Sequence, residues 1–241
     1  MEERGMNERI KKLRKLSVDT QPHIDLERAK SMTKTYEKYE GVLSIPELRG
    51  QVLKDYFTTK TLYIGEGELI VGEKGDSPQA APTFPELCCH TVEDMHVMND
   101  RDLINFKVKE DYKIQEDVMI PYWDKRSTRS RVLRAMTPEW KKAYECGIFT
   151  EFMEQRGPGH TVGSFKIYEK GFLDYKADIQ ESIDKLDFMT DPEAFDKKSE
   201  LEGMKLACDA IMILGERYAA YARELAEKEL SLIHISEPTR H

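Results

Sequence analysis

Long apolar runs are missing from this chain. Nowhere does it approach the roughly 18 consecutive apolar residues a membrane-crossing helix needs, so no such span is expected. The start, Met1-Glu2-Glu3-Arg4-Gly5, opens into charge where a secretory signal would be apolar. Cysteine is scarce: Cys88, Cys89, Cys146 and Cys208 are all there is, with no C-x-x-C pair. Adjacent cysteines cannot close an ordinary disulfide, and a reduced, cytoplasmic protein is expected. An excess of positive charge is also lacking. Lys plus Arg is 37 against 45 Asp plus Glu, a net charge of −8, which speaks against nucleic acid as a partner. No internal repeat of about 20 to 50 residues is present, which excludes a solenoid.

What is present is enough to fold. Hydrophobic residues are 39% of the 241, with 11 Tyr, 9 Phe, 2 Trp and 11 Met, so a disordered chain is excluded. The pattern is mainly α with a few short β-strands. Residues 7–16 read as a helix whose Arg9, Lys11, Lys12, Arg14 and Lys15 form a solvated basic face. Asp25 is placed to cap a helix running to Gly41. Ser44-Ile45-Pro46-Glu47 has the form of a capping box, opening a helix to about residue 57. Thr61-Leu62-Tyr63-Ile64 and Glu68-Leu69-Ile70-Val71 read as two short strands, or a strand and a loop. The glycines and prolines of residues 72–85 then demand a long ordered loop.

Helix returns at Thr91, with Asp94 three residues on, and at residues 110–124, bent at Pro121. Thr137-Pro138-Glu139 and Asp191-Pro192-Glu193 are further start signals. The last helix carries Leu201, Met204, Cys208, Ile211, Gly215, Tyr218, Ala222 and Leu225 on one stripe, with Glu202, Lys205, Asp209, Glu216 and Glu227 opposite. Its small residues Gly215 and Ala222 favour close packing against a core over a coiled coil.

Two motifs fail. Gly67 and Gly72 have the spacing of a phosphate loop, but Glu73 stands where lysine belongs. Gly157-Pro158-Gly159 opens no helix after a strand, so it is no dinucleotide fingerprint. Cys88, Cys89 and His90 make a poor zinc site, because adjacent ligands rarely reach one tetrahedral ion; no metal or bound cofactor is expected. Cys146, without nearby cations, reads as a structural thiol. Three glycines and a proline in residues 155–165 leave His160 on a loop of small side chains. There an imidazole can hydrogen-bond a substrate hydroxyl or move a proton; a structurally satisfied histidine is the alternative.

The two loops carry a resemblance. Gly67-Glu68-Leu69-Ile70-Val71-Gly72-Glu73, then Ala81-Pro82-Thr83-Phe84-Pro85-Glu86, resemble the N-terminal signature of the glycyl radical enzymes, the pyruvate formate-lyase superfamily. Pro22-His23-Ile24, Glu27-Arg28-Ala29, Ile120-Pro121-Tyr122-Trp123 and Gln155-Arg156-Gly157-Pro158-Gly159-His160-Thr161 follow in the same order. Residues 72–78, 88–91 and 149–156 resemble the branch that dehydrates trans-4-hydroxy-L-proline. The resemblance implies the N-terminal part of a ten-stranded α/β barrel enclosed by helices. It implies a carbon–oxygen lyase in which a glycyl radical generates a cysteine thiyl radical, which takes hydrogen from a small-molecule substrate. A nearby glutamate assists the loss of water in a closed, dry site. A radical S-adenosylmethionine activating enzyme and, at full length, a homodimer are the implied partners; nucleic acid and membrane are not.

Members of the superfamily are much longer. None of the four cysteines is followed two residues later by glutamate, so the catalytic Cys-x-Glu and the radical glycine are expected beyond this chain, which alone would be inactive. Only His160 carries over, at the position implied to contact the substrate hydroxyl, with Gly157 in place of the usual alanine. Residues 1–229 are thus expected to be the front of a pyruvate formate-lyase-type domain. Residues 230–241, with Leu230-Ser231-Leu232-Ile233-His234-Ile235-Ser236-Glu237-Pro238-Thr239-Arg240, resemble a translated sequencing adapter and are expected to be foreign. Lyases of glycerol, other diols or choline, a formate acetyltransferase, and a non-catalytic helical module are the competing readings.

Overall fold

The computed structural model describes residues 7–108, 112–149 and 165–236, with side chains to 229. Helix α1 (Glu8–Asp19) starts where Asn7 Oδ1 accepts the Ile10 amide at 2.9 Å. Strand β1 (His23–Asp25) leads into α2 (Glu27–Tyr39), where Asp25 Oδ1 accepts the Glu27 amide at 2.7 Å. Asp25 does cap this helix, although the formal cap position is Leu26. Gly41, at φ +78°, turns the chain toward α3 (Ile45–Thr59). Ser44 and Glu47 close a reciprocal capping box there. Strand β2 (Ala80–Pro82) follows a long irregular stretch, and α4 (Val92–Asp100) begins with a second box, Thr91 with Asp94.

The helix bent at Pro121 is α5 (Tyr112–Ile114), a π-turn over Gln115–Met119, and α6 (Ile120–Trp123). The Ile120 amide reaches Gln115 O, five residues back, so the turn widens just ahead of the proline that has no N–H to give. Then come α7 (Thr128–Ala135), α8 (Pro138–Glu145) capped by Thr137, α9 (Lys166–Glu169), α10 (Phe172–Asp184) and the 43-residue α11 (Ala194–Ser236).

Two expectations are corrected. Residues 61–64 and 68–71 are irregular, not strands. Their apolar residues find no partner strand among the described residues, and Leu69 and Ile70 stand 78% and 91% exposed. The ladder forms instead between β1 and β2, parallel, pairing His23 with Ala80, Ile24 with Ala81 and Asp25 with Pro82. The α11 stripe is the second correction. Cys208 and Tyr218 are buried, but Met204 and Ile211 are 54% and 41% exposed, and nothing lies within 4 Å of a Cβ built on Gly215.

Close packing occurs one residue away from that stripe, at Gly203. A Cβ on Gly203 would lie 2.6 Å from Pro46 O, and one on Gly50 of α3 2.6 Å from Gly203 O. Asp209, expected on the outer face, sits between Lys54 of α3 and Lys176 of α10. An α-helix drifts about 20° per heptad against a strict 3.5-residue repeat, so a long stripe cannot stay on one partner.

Two small cores hold these elements. Ala29, Met32, Val52, Met119 and Trp123 bind α2, α3 and the broken helix; Ile24, Leu26 and Met95 back the sheet. Trp123 Nε1 donates to Thr33 Oγ1 at 2.7 Å, and that hydroxyl donates to Ala29 O at 2.8 Å, so the buried indole is satisfied.

Candidate functional site

The two parallel strands end together, and polar side chains gather at their carboxyl ends. This is where open parallel sheets place their ligands, because side chains and loops converge there. Asp25 closes β1. Glu27 and Arg28 follow on the first turn of α2, and Thr83, Phe84 and Glu86 follow β2. Arg28 holds these segments together. Its guanidinium donates to Glu86 at 2.6 and 3.2 Å and to Thr83 O at 3.3 Å, and lies 4.1 Å from the Phe84 ring centroid. Both charged side chains are largely buried, so this forked pair sits where a charge-assisted bond is strong and positions both chain segments.

Behind the strand ends is a second polar group. Lys60, only 4% exposed, donates to Thr61 O at 3.0 Å and Gly75 O at 2.9 Å. Burial pulls its pKa down from the usual lysine value, against the pull of the Glu27, Asp25 and Glu73 carboxylates. Glu27 Oε1 accepts from the Thr61 amide and hydroxyl at 2.8 and 2.9 Å. Asp25 Oδ2 and Glu27 Oε2 have no hydrogen-bond partner among the described residues. His23 Nε2 meets Asp76 Oδ1 at 2.9 Å, and Ser77 Oγ donates to the same oxygen at 2.7 Å.

Two cavities share β2 as a wall. One, about 590 Å³, is lined by Arg28, Tyr56, Lys60, Phe84 and Tyr218 among others. The other, about 410 Å³, has Ile24, Ala81, Phe84, Met98 and Phe106 around Cys88 and His90. Neighbouring Cys89 is half-buried, and that desolvation pushes its thiol up to about 12; it keeps its proton and is no thiolate nucleophile. Cys146 is exposed at the end of α8, and Cys208 is buried on α11. Among the described residues no group of three metal-binding side chains converges.

His160, the residue singled out from the sequence, lies outside the described residues. The sequence reading missed Lys60 and the Arg28–Glu86 pair. Both halves of that pair stand in motifs that carried the resemblance, Glu27-Arg28-Ala29 and Thr83-Phe84-Pro85-Glu86, 58 residues apart. Nothing in the local sequence marks Lys60.

A family model described as pyruvate formate lyase-like matches residues 6–234. The chain is 57% identical over 227 residues to a trans-4-hydroxy-L-proline dehydratase of Clostridioides difficile, covering 94% of this chain and 29% of that protein. It is 28% identical over 236 residues to an isethionate sulfite-lyase of Desulfovibrio desulfuricans, covering 91% of this chain and 28% of that one. The crystal structure of the Clostridioides difficile hydroxyproline dehydratase, with trans-4-hydroxy-L-proline bound, matches with a TM-score of 0.87 over 93% of this chain and 29% of its own. The B12-independent glycerol dehydratase of Clostridium butyricum matches with a TM-score of 0.82 at 26% identity, over 92% and 28%. The chain thus spans less than a third of the length of these relatives.

Proposed function

This chain belongs to the pyruvate formate lyase-like family, and on that premise we propose that it is the N-terminal portion of a glycyl radical dehydratase acting on trans-4-hydroxy-L-proline. The observation that carries the reading is the gap in identity: 57% to the hydroxyproline dehydratase against 28% and 26% to the sulfite-lyase and the glycerol dehydratase, over nearly the same part of the chain. The alternatives among diol dehydratases and other lyases rest on the lower figures.

In this reading the chemistry is divided along the polypeptide. A radical held on a downstream glycine, once installed by a radical S-adenosylmethionine activating enzyme, supplies the thiyl that abstracts hydrogen. The downstream Cys-x-Glu loop provides the thiol and the carboxyl that helps water leave. The present chain contributes the first two parallel strands, the Arg28–Glu86 clamp that fixes their carboxyl ends, and His160, which contacts the substrate hydroxyl. An imidazole there orients the leaving oxygen and holds a proton near it. The whole enzyme is cytoplasmic and homodimeric, and this chain by itself turns nothing over.

The native gene, read on in frame from residue 229 in place of the adapter-like residues 230–241, tests the proposal: a Cys-x-Glu loop and a glycine radical motif are expected downstream, and a natural stop there with neither motif would contradict it. In the assembled enzyme, His160→Ala is expected to raise the KM for hydroxyproline and to lower kcat about a hundredfold, a general acid–base contribution. An unchanged kcat/KM would remove His160 from the site.

A further inference from the structure

The irregular stretch before β2 is gripped by its carbonyl oxygens. Tyr56 Oη donates to Lys74 O at 3.3 Å and Lys60 Nζ to Gly75 O at 2.9 Å, both from the last turn and end of α3. Beyond them Asp76 is tied to His23 of β1. Residues 72–74 wall the 590 Å³ cavity along with Tyr56, Lys60, Leu214 and Tyr218. Lys60 itself is held from the other side. Arg217 of α11 donates to Lys60 O at 2.8 Å and Phe57 O at 2.6 Å, taking up carbonyls that the end of α3 leaves without helical partners.

These bonds form a chain: α11, through Arg217, fixes the backbone of Lys60; the Lys60 amine fixes Gly75; and Gly75 leaves no slack. A Cβ there would lie 2.4 Å from Ala80 Cβ and 2.7 Å from Asp25 Oδ2. The apolar stretch before it makes no comparable anchor: residues 68–71 are mostly exposed. A segment pinned by a few side-chain bonds between such a stretch and a strand opens as a unit when those bonds are lost. From this geometry we infer that residues 72–77 are a strap over the cavity, held shut by α11 with Lys60 as the coupling residue. A shift of α11 at Arg217 therefore opens the cavity wall without unfolding the sheet.

The strap carries its own reporter. The Lys74 side chain is exposed while Gly75 is buried, so trypsin can cleave after Lys74 only from the opened state. The experiment is limited trypsin digestion of the full chain, with the Lys74 cleavage product followed by mass spectrometry. Lys60→Met and Arg217→Met are each expected to speed that cleavage at least about tenfold, since only the one charge-assisted bond to Gly75 O closes the strap directly, and the double variant to be no faster than Lys60→Met alone. Asp209→Asn removes the Lys54 and Lys176 pairing eight residues before Arg217 and leaves the Arg217 bonds to α3 in place, so it is expected to leave the rate unchanged. A wild-type rate in Arg217→Met, additive effects in the double variant, or an equal acceleration by Asp209→Asn would each overturn the inference.

Discussion

Gly75 has no room for a side chain. The added methyl of Gly75→Ala would have to displace Ala80 of β2 and the Asp25 carboxylate, both fixed by the ladder. Overpacking of this kind costs about 1–3 kcal/mol, and urea unfolding of Gly75→Ala is expected to fall by that amount with an unchanged m-value. The Arg28–Glu86 pair gives a second test at this scale. With one partner removed the other is left largely buried, so Arg28→Met and Glu86→Gln should each destabilise strongly, yet the double variant much less than their sum. Additive losses in the cycle would show that the two charges act independently. Neither feature could be read locally. The sequence offered the motif residues, but a contact between positions 58 apart is a fact of topology.

Helix starts were the most legible elements. Ser44 with Glu47, Thr91 with Asp94, and Thr137 before Pro138 all cap as their order implies, because a cap is decided within four residues. Ser44→Ala is expected to cost about 1 kcal/mol, seen as a lower Tm by circular dichroism. Strands were not legible. An apolar β-branched run such as residues 61–64 describes a surface fit for pairing, and pairing needs a partner that local sequence does not supply. The face of α11 was also misread, since its crossing with α3 is set by Gly50 against Gly203 and not by the regular stripe.

Asp209, once expected outside, makes a pH prediction. The hydrogen bond from Lys176, helped by Lys54, holds its carboxyl below the usual carboxylate range despite partial burial. A depressed folded pKa stabilises fully above the unfolded value, about pH 4, and that stability is lost as pH falls through the lower folded pKa. Asp209→Asn should therefore lower stability at neutral pH and flatten the acid limb of the urea midpoint profile. Parallel profiles for the two proteins would count against the pairing.

At the scale of the molecule, the described surfaces look unfinished. Met189 is 91% exposed at the α10–α11 connection, α10 buries no residue, and the sheet has two strands with cavities along it. Exposed apolar area on this scale marks surfaces that pack against something else. The fluorescence of a dye that binds exposed apolar surface should be high for this chain alone and should drop when the remainder of a glycyl radical dehydratase is co-expressed with it. Fold class was legible here through the resemblance, which the family match sustains; for the site the sequence singled out only His160, which lies outside the described residues, while the clamp and strap emerged from the folded arrangement.

The most direct measurement replaces the corresponding N-terminal part of the Clostridioides difficile dehydratase with residues 1–229 of this chain, activates the chimera, and compares its turnover of trans-4-hydroxy-L-proline and glycerol. Dehydration of hydroxyproline with glycerol left untouched is the predicted result. Turnover of glycerol in preference to hydroxyproline would contradict the account.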